Sequence, residues 1–304
     1  MSKQIAVAIE PTADEYLYEA VARAGGVVTG IDDARVLVWI GGAQDFPTLP
    51  DHIEWVALKT AGIEEFVEAG VIDDRRIWTN ASGFYAENVA EHALSLLLSG
   101  IRQINTSILL GWDKDGIDPH VRSLHGSTVA IIGAGGIGVS LTQRLTACDA
   151  RVIAVNRSGR PVPGADVTYP SSELDKVWAT TDHVVLAAPS TPETRHTIND
   201  ETLAALPSHA WIVNIARGPL IDQQALYRAL VAGEIAGAAL DVTDPEPPDT
   251  DDPLFYLPNV IVTPHIANPT SGLTRTMAPF LAENIRRFAD GEQMLSVVDP
   301  HSDY

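Results

Sequence analysis

Short apolar runs separated by polar, helix-forming stretches make up the first part of the chain, as far as Tyr85. Thr12 and Glu15 have the spacing of a capping box, so a helix is predicted to begin there and to end at the glycine pair after Ala24. Strands that alternate with helices in this way are typical of an α/β unit with a parallel sheet. The strands predicted for this unit are residues 3–9, 36–40, 55–58 and 77–79.

A longer apolar repeat leads out of this unit. Its period of about 3.6 residues predicts one continuous helix from about residue 86 to residue 110. Strands and helices then alternate again, with Asp222 predicted to cap a helix that ends near Gly233 and a last helix predicted over 271–290. The chain is therefore predicted to contain a second α/β unit with a parallel sheet. Its predicted strands are residues 129–132, 151–155, 167–169, 183–187, 211–214, 237–241 and 260–263.

The first strand of the second unit runs into a glycine-rich loop at residues 133–138, and a helical pattern follows. Strand, glycine loop and helix in this order are the fingerprint of a dinucleotide-binding site. The first glycine allows a tight turn, the second lets a pyrophosphate approach the backbone, and the last lets the helix pack closely on the strand. The N-terminus of the helix offers free amides to the phosphates. The predicted cofactor loop comprises Gly133, Gly135, Gly136, Ile137 and Gly138.

The residues after the second strand of this unit indicate which dinucleotide binds. In NAD-binding units an acidic residue at this place bonds the ribose 2′-hydroxyl. Here the strand at 151–155 is followed by Arg157, Ser158 and Arg160, and the acidic residue is missing. Guanidinium and hydroxyl groups suit a 2′-phosphate, which a carboxylate would repel. The segment predicts a preference for NADP(H), with NAD(H) as the alternative.

Three later strands are each followed by a residue suited to catalysis: Arg217, Glu246 and His265. Ligands of open α/β sheets bind outside the carboxyl ends of the strands, so these side chains are expected on one edge. Arg217 is suited to bind carboxylate and carbonyl oxygens in a fork, and His265 is suited to donate a proton near neutral pH. Glu246 is suited to orient the imidazole. Together they favour hydride delivery to a 2-oxo acid.

The composition limits the other function classes. With 304 residues, 45% of them hydrophobic, the chain is long and apolar enough for about two globular domains. Its net charge of −20 argues against nucleic acid and against anionic membrane surfaces as partners. The single cysteine, Cys148, excludes a disulfide framework, and no spacing of His, Asp and Glu suggests a metal site. No signal peptide and no membrane span is recognisable, so we expect a cytoplasmic protein.

With these residues in view, the chain resembles the D-isomer-specific 2-hydroxyacid dehydrogenase family, and within it glyoxylate and hydroxypyruvate reductases. The resemblance is carried by residues 89–98, 128–138, 189–198, 213–222, 237–247 and 257–267. It implies that Arg217, Glu246 and His265 are the catalytic residues. It also implies that Pro189, Ala216 and Asp241 contact the cofactor, Asp241 at the nicotinamide carboxamide. The amides of Ala61, Gly62 and Ile63, together with Arg217, are implied to hold the substrate carboxylate.

The resemblance also implies an architecture of two Rossmann-like domains. A dinucleotide domain (99–270) is expected to be inserted into a discontinuous substrate domain (1–98 and 271–304), and a homodimer is expected. Residues 266–270 and 63–65 depart from the family pattern, which leaves the particular substrate open, and His92 is expected to have a structural role. The implied activity is the NADPH-dependent reduction of a small 2-oxo acid to a D-2-hydroxy acid. A binding scaffold of the same fold that senses nucleotides is the alternative.

Overall fold

A computed structural model describes residues 4–300 of the chain. The chain divides into two compact units, one built from residues before Ala86 and after Asn268, the other from Ala86–Asn268. The first unit is therefore discontinuous in sequence. The helix that begins at Ala86 belongs to the second unit, whereas the predicted boundary lies near residue 98.

The strands are short and most of the helices are brief. The strands are β1 (Ala6–Glu10), β2 (Val27–Val28), β3 (Val36–Trp39), β4 (Trp55–Leu58), β5 (Ile77–Thr79), β6 (Thr128–Ile132), β7 (Arg151–Asn156), β8 (Val167–Pro170), β9 (His183–Leu186), β10 (Trp211–Asn214), β11 (Gly237–Leu240) and β12 (Val260–Val262). The helices are α1 (Glu15–Arg23), α2 (Glu64–Glu68), α3 (Ala86–Ile101), α4 (Ile104–Leu110), α5 (Lys114–Ile117), α6 (Gly136–Ala147), α7 (Asp175–Trp178), α8 (Asp200–Ala205), α9 (Gln223–Ala232) and α10 (Leu273–Asp290).

The first unit contains a parallel sheet with the strand order β2-β1-β3-β4-β5. Helix α10, which comes from the end of the chain, packs against α1 and completes this unit. Its apolar face, including Leu281 and Ile285, is buried in one cluster with Val7 and Trp55 of the sheet. Burial of this face explains why a distant segment returns to the first unit.

The second unit contains a parallel sheet with the order β12-β11-β10-β9-β6-β7-β8. The sequence order reverses between β6 and β9, so the loops that follow these two strands lead away on opposite sides. Such a switch point is where open α/β sheets bind their ligands. Helix α3 packs on α6 and on β10 and β11, which explains why it belongs to this unit. Both α/β sheets and their parallel strands confirm the predicted fold class.

The predicted long helix over residues 86–110 is wrong. It is divided into α3 and α4, with Gln103 between them in the left-handed region at φ 56° and a bend of 55°. The bend brings Asn105 to the start of β12, where its amide donates to the carbonyls of Pro258 and Val260 at 3.2 and 3.4 Å. This tertiary contact outweighs the local apolar repeat.

The ends of two other helices test the capping predictions. Helix α9 is capped as predicted, because the carboxylate of Asp222 accepts from the amides of Gln224 and Ala225, and Gly233 ends the helix in the left-handed region. The capping box predicted at Thr12 is wrong, since Asp14 caps α1 by accepting from the Leu17 amide at 3.0 Å. Within residues 4–300 no single helix is long and apolar enough to span a membrane; only α3 and α4, taken as a bent pair, meet the length and composition.

Candidate active site

The carboxyl ends of β11 and β12 carry a histidine–glutamate pair. The Nδ1 atom of His265 lies 2.6 Å from Oε1 of Glu246. Both side chains are about half exposed, at 51% and 41%. A carboxylate only accepts hydrogen bonds, so Nδ1 carries a proton in this contact. The second ring nitrogen, Nε2, is then the atom that can exchange a proton with a bound molecule.

Arg217 follows β10, the next strand of the same sheet. The last residue of this strand, Asn214, is fully buried and controls the turn. Its Nδ2 donates to the carbonyl of Arg217 at 2.8 Å, and its Oδ1 accepts from the amide of Ala216 at 3.0 Å. The buried side-chain amide of Asn214 therefore holds the turn that leads from β10 to Arg217.

A close backbone approach joins the loops that carry Arg217 and Glu246. A Cβ added at Gly218 would lie 1.9 Å from the carbonyl oxygen of Thr243. Such a distance excludes any side chain at this position unless the backbone moves. The glycine therefore sets the spacing between the Arg217 turn and the segment that leads to Glu246.

Asp241, predicted to contact the cofactor, comes directly after β11 and is 1% exposed. Its carboxylate accepts from the Thr263 hydroxyl at 2.6 Å and from the amides of Ile266 and Ala267 at 3.0 Å each. Burial alone raises the pKa of Asp241, but hydrogen bonds from His92, Thr263 and these amides outweigh burial and hold the pKa below its usual value. The carboxylate is therefore ionised in the folded protein, and its Oδ2 atom retains capacity for one more donor.

The glycine loop between β6 and α6 has the geometry that a dinucleotide requires. Gly133 has φ 93°, and a Cβ there would lie 2.3 Å from the amide nitrogen of Ala188. At Gly138 a Cβ would lie 3.2 Å from Ile131 of β6, which explains the close packing of α6 on the strand. At Gly135 a Cβ would meet no atom of the chain within 4 Å. The loop thus offers an open face at the N-terminus of α6, and it fits a pyrophosphate.

The segment after β7 forms a closed turn. The side chain of Asn156 accepts from the amide of Arg160 at 3.1 Å and donates to its carbonyl at 2.7 Å. Arg157, Ser158 and Arg160 are exposed around this turn, at the carboxyl edge that also carries the glycine loop. The turn therefore presents two guanidinium groups and a hydroxyl, as the sequence predicts.

The two remaining predicted cofactor residues follow β9 and β10. Pro189 is exposed just beyond the end of β9, and its carbonyl accepts from the Thr194 hydroxyl at 2.7 Å. Ala216 is buried in the turn that Asn214 controls. Both lie on the carboxyl edge of the sheet, and their contact with a cofactor stays a prediction.

The loop predicted to bind a carboxylate lies after β4 in the first unit. Three consecutive carbonyls are held from the segment that precedes α3: Lys59 by the Tyr85 hydroxyl at 2.6 Å, Thr60 by the Ala81 amide at 2.8 Å, and Ala61 by Asn80 at 2.8 Å. Within residues 4–300 the amides of 61–63 donate to no acceptor. These amides are available to an anion.

Sequence reasoning missed Asn80, Tyr85 and Asn214, which hold the loops on which the predicted site residues lie. Their roles depend on contacts with residues 2 to 26 positions away, and no periodicity marks them. Within residues 4–300 no group of three or more His, Cys, Asp or Glu side chains is arranged to bind a metal ion.

Residues 93–267 match the family model of the D-isomer specific 2-hydroxyacid dehydrogenase NAD-binding domain. The chain belongs to this family. It is therefore an NAD(P)-dependent oxidoreductase that acts on CH–OH donors, and the predicted family is confirmed.

The similarity to other proteins extends beyond this domain. An uncharacterized protein of Corynebacterium melassecola, from the proB 3′ region, is 41% identical over 290 residues, which is 94% of this chain and 95% of that protein. A glyoxylate reductase of Pyrococcus furiosus is 35% identical over 223 residues, or 70% of this chain and 66% of the relative. The NADPH-dependent glyoxylate/hydroxypyruvate reductase of Sinorhizobium meliloti, solved with NADP and sulfate, superposes with a TM-score of 0.80 at 25% identity over 99% of this chain and 100% of that one.

Proposed function

We propose that this enzyme reduces a small 2-oxo acid of the glyoxylate or hydroxypyruvate type to a D-2-hydroxy acid, with NADPH as the hydride donor. The observation that carries the proposal is the 2.6 Å contact between His265 Nδ1 and Glu246 Oε1 at the ends of two neighbouring strands. The names of the glyoxylate reductases among its relatives support the same substrate class.

Arg217, His265 and Glu246 have separate roles in the proposed reaction. Arg217 binds the carboxylate and carbonyl oxygens of the substrate in a fork and polarises the carbonyl. His265 donates its Nε2 proton to the carbonyl oxygen as that atom gains negative charge. Glu246 holds the Nδ1 proton and stabilises the imidazolium before transfer. When bound, NADPH supplies the hydride that reaches the carbonyl carbon, so hydride and proton together give the alcohol.

The cofactor is held by the second unit. We assign the pyrophosphate to the open face at Gly135 and the N-terminus of α6, and the 2′-phosphate to the turn that presents Arg157, Ser158 and Arg160. Pro189, Ala216 and Asp241 complete the proposed contacts. The first-unit amides of 61–63 are assigned to bind a carboxylate oxygen.

A panel of 2-oxo acids, assayed by NADPH absorbance and repeated with NADH, tests the proposal. We expect glyoxylate or hydroxypyruvate to be reduced with NADPH and a lower kcat/KM with NADH. The absence of turnover with every acid, despite tight NADPH binding, would instead favour a nucleotide-sensing scaffold.

A double variant tests the assignment of the 2′-phosphate of NADPH to the turn after β7. Replacing Arg157 and Arg160 with alanine is expected to weaken NADPH binding by roughly 10- to 100-fold, since each charge-assisted hydrogen bond contributes about 1.5–3 kcal/mol. Binding of NADH, which lacks the 2′-phosphate, is expected to be unchanged. Equal losses for both cofactors would contradict the assignment of the phosphate to this turn.

We also propose that the protein is a cytoplasmic homodimer and that α4 lies in the interface. This helix and the residues after it expose large apolar side chains, with Ile108 at 76% and Trp112 at 99%. Exposed apolar clusters of this kind mark interaction surfaces. Light scattering is expected to show a dimer that Ile108→Asp converts to a monomer, while Val231→Asp, at an exposed position of α9, leaves it intact. A monomeric wild-type protein, or a dimer that survives Ile108→Asp, would refute this assignment.

A further inference from the structure

The backbone of His265 adopts a conformation that needs support from its surroundings. Its φ is 51°, in the left-handed region that side chains other than glycine rarely adopt. Such a conformation costs free energy, and it persists only where neighbouring contacts hold it. One contact is immediate, because the His265 amide donates to the carbonyl of Asp241 at 2.8 Å.

The carboxylate of Asp241 holds the residues on both sides of His265. The amides of Ile266 and Ala267 donate to it from after the histidine, and the Thr263 hydroxyl donates from before it. The loop therefore wraps around one buried carboxylate. The backbone that carries His265 is therefore tied to that carboxylate.

His92 of α3 reaches the same carboxylate. Its Nε2 lies 3.2 Å from Oδ1 of Asp241 and 3.0 Å from the hydroxyl oxygen of Thr263. The Thr263 hydroxyl gives its own proton to Asp241, and a carboxylate only accepts, so Nε2 of His92 must be the donor. Helix α3 thus donates to both residues that control the start of the His265 loop.

Asn88 extends this contact to the other end of the loop. It lies one turn before His92 and therefore on the same face of α3. Its Nδ2 donates to Oδ1 of Asn268 at 3.3 Å, three residues after His265. Asn268 belongs to the stretch that departs from the family pattern, and the structure shows it hydrogen-bonded to Asn88.

We infer that Asn88 and His92 form a clamp on α3 that positions the His265 loop from both ends. The two are positioning residues: His92 acts through Asp241 and Thr263, and Asn88 acts through Asn268. The clamp rests on the proposed role of His265 as the proton donor. It converts His92 from a residue expected to be structural into a determinant of where the proton donor stands.

Hydrogen–deuterium exchange tests the clamp without any turnover. In His92→Phe, which keeps a ring and removes the donor, peptides that cover residues 263–268 are expected to exchange about tenfold faster, because a hydrogen bond to a charged group is lost. His209→Phe is the matched control, since it removes another histidine–aspartate contact of the same unit, the 2.8 Å bond to Asp182. Faster exchange at 263–268 in the control, or unchanged exchange in Asn88→Leu/His92→Phe, would overturn the clamp.

Kinetics give a second, separate readout. In His92→Phe we expect kcat to fall about tenfold, with the deuterium isotope effect from labelled NADPH increased, because a misplaced proton donor slows the chemical step. NADPH binding is expected to stay unchanged, and His92→Gln, which restores an N–H donor, is expected to recover most of kcat. An isotope effect that stays at the wild-type value would overturn the positioning role. If wild-type protein reduces no 2-oxo acid, the proposed function fails, while the exchange experiment still decides whether the clamp exists.

Discussion

Two histidine–carboxylate pairs lie at the carboxyl and amino edges of the seven-stranded sheet, where its strands end and begin, and both pairs are partly exposed. At the carboxyl edge His265 contacts Glu246 at 2.6 Å, and both side chains are about half exposed. At the amino edge His209 contacts Asp182 at 2.8 Å, and Asp182 also accepts from the Thr128 amide at the start of β6. The first pair is presented on loops that a ligand can reach, whereas the second joins the starts of strands.

A third histidine shows what burial does at the amino edge. His183 is 1% exposed, and its Nδ1 accepts from the amide of Trp211 at 3.2 Å. Burial lowers its pKa to about 4, against the opposing charge of Asp182, so this imidazole is neutral at physiological pH. The end of the strands at which a histidine lies, rather than its residue type, therefore distinguishes the proposed proton donor His265 from His209 and His183, which hold the starts of strands.

The largest expected difference between the edges concerns catalysis. His265→Gln is expected to lower kcat by about 10²–10⁴-fold, the usual contribution of a general acid, with the Kd for NADPH unchanged. His209→Gln at the amino edge is expected to leave kcat unchanged. Steady-state assays and cofactor titration of both variants check this, and full activity in His265→Gln would remove His265 from the mechanism.

Two glycines, Gly218 and Gly237, are expected to have different roles at the two edges. Gly218→Ala at the carboxyl edge is expected to lower kcat/KM about 100-fold, because the added Cβ must displace the backbone at Thr243 and with it Arg217. Gly237→Ala at the amino edge would place its Cβ 2.5 Å from the Trp211 ring, and it is expected to lower the free energy of unfolding by about 1–3 kcal/mol while folded protein keeps its kcat. Urea unfolding and kinetics of both variants separate the effects; activity loss in Gly237→Ala alone would contradict the distinction.

The burial of His183 at the amino edge predicts that the folded protein is less stable at acid pH. The pKa of His183 is about 4 in the folded protein and 6.5 in the reference state, so the unfolded chain binds the proton first as pH falls. The free energy of unfolding is therefore expected to decrease by about 3 kcal/mol between pH 6.5 and pH 4. Asp182, whose pKa is lowered by its hydrogen bonds from Thr128 and His209 in spite of burial, adds a further loss at lower pH.

His183→Asn provides the control for this pH dependence. Its side-chain oxygen can replace Nδ1 as the acceptor for the Trp211 amide but does not titrate. Chemical denaturation from pH 7 to pH 4 should show a smaller decrease in this variant than in the wild-type protein. An equal decrease in both proteins would assign the acid sensitivity to other groups.

The smallest expected effect lies at a carboxyl edge of the other sheet, after β4. Tyr85→Phe removes the hydroxyl that holds the Lys59 carbonyl at 2.6 Å. A neutral hydrogen bond contributes about 1 kcal/mol, so KM for the 2-oxo acid is expected to rise about fivefold with kcat nearly unchanged. Tyr18→Phe on α1 is the matched control, and a changed KM in that variant would contradict a local role for Tyr85.

Much of the fold follows from local pattern. The apolar runs predicted as strands agree with the observed strands to within a few residues, because a parallel sheet buries whole runs on both faces. The cap at Asp222 and the left-handed Gly233 follow from their residue types. The break at Gln103 and the cap at Asp14 were missed, since long-range contacts of Asn105 and the local geometry at Asp14 decide them.

The candidate site likewise combines residues that local sequence pattern can predict with residues that it cannot. Sequence pattern and family resemblance singled out Gly133, Arg217, Glu246 and His265, since each follows a strand that is easy to recognise. The residues that hold them were not recognisable. Asn214 acts on its own turn, whereas His92 and Tyr85 act across 171 and 26 positions of the chain.

Local residue order was sufficient to predict the glycine loop and the three proposed catalytic side chains, because turns and strand ends depend on near neighbours. Packing alone decided the break between α3 and α4, the neutral state of His183 and the support of the His265 loop from α3. These features depend on groups that are distant in sequence and meet at a buried carboxylate, at a backbone carbonyl or in the protein interior. The energy of such contacts exists only after the chain has folded.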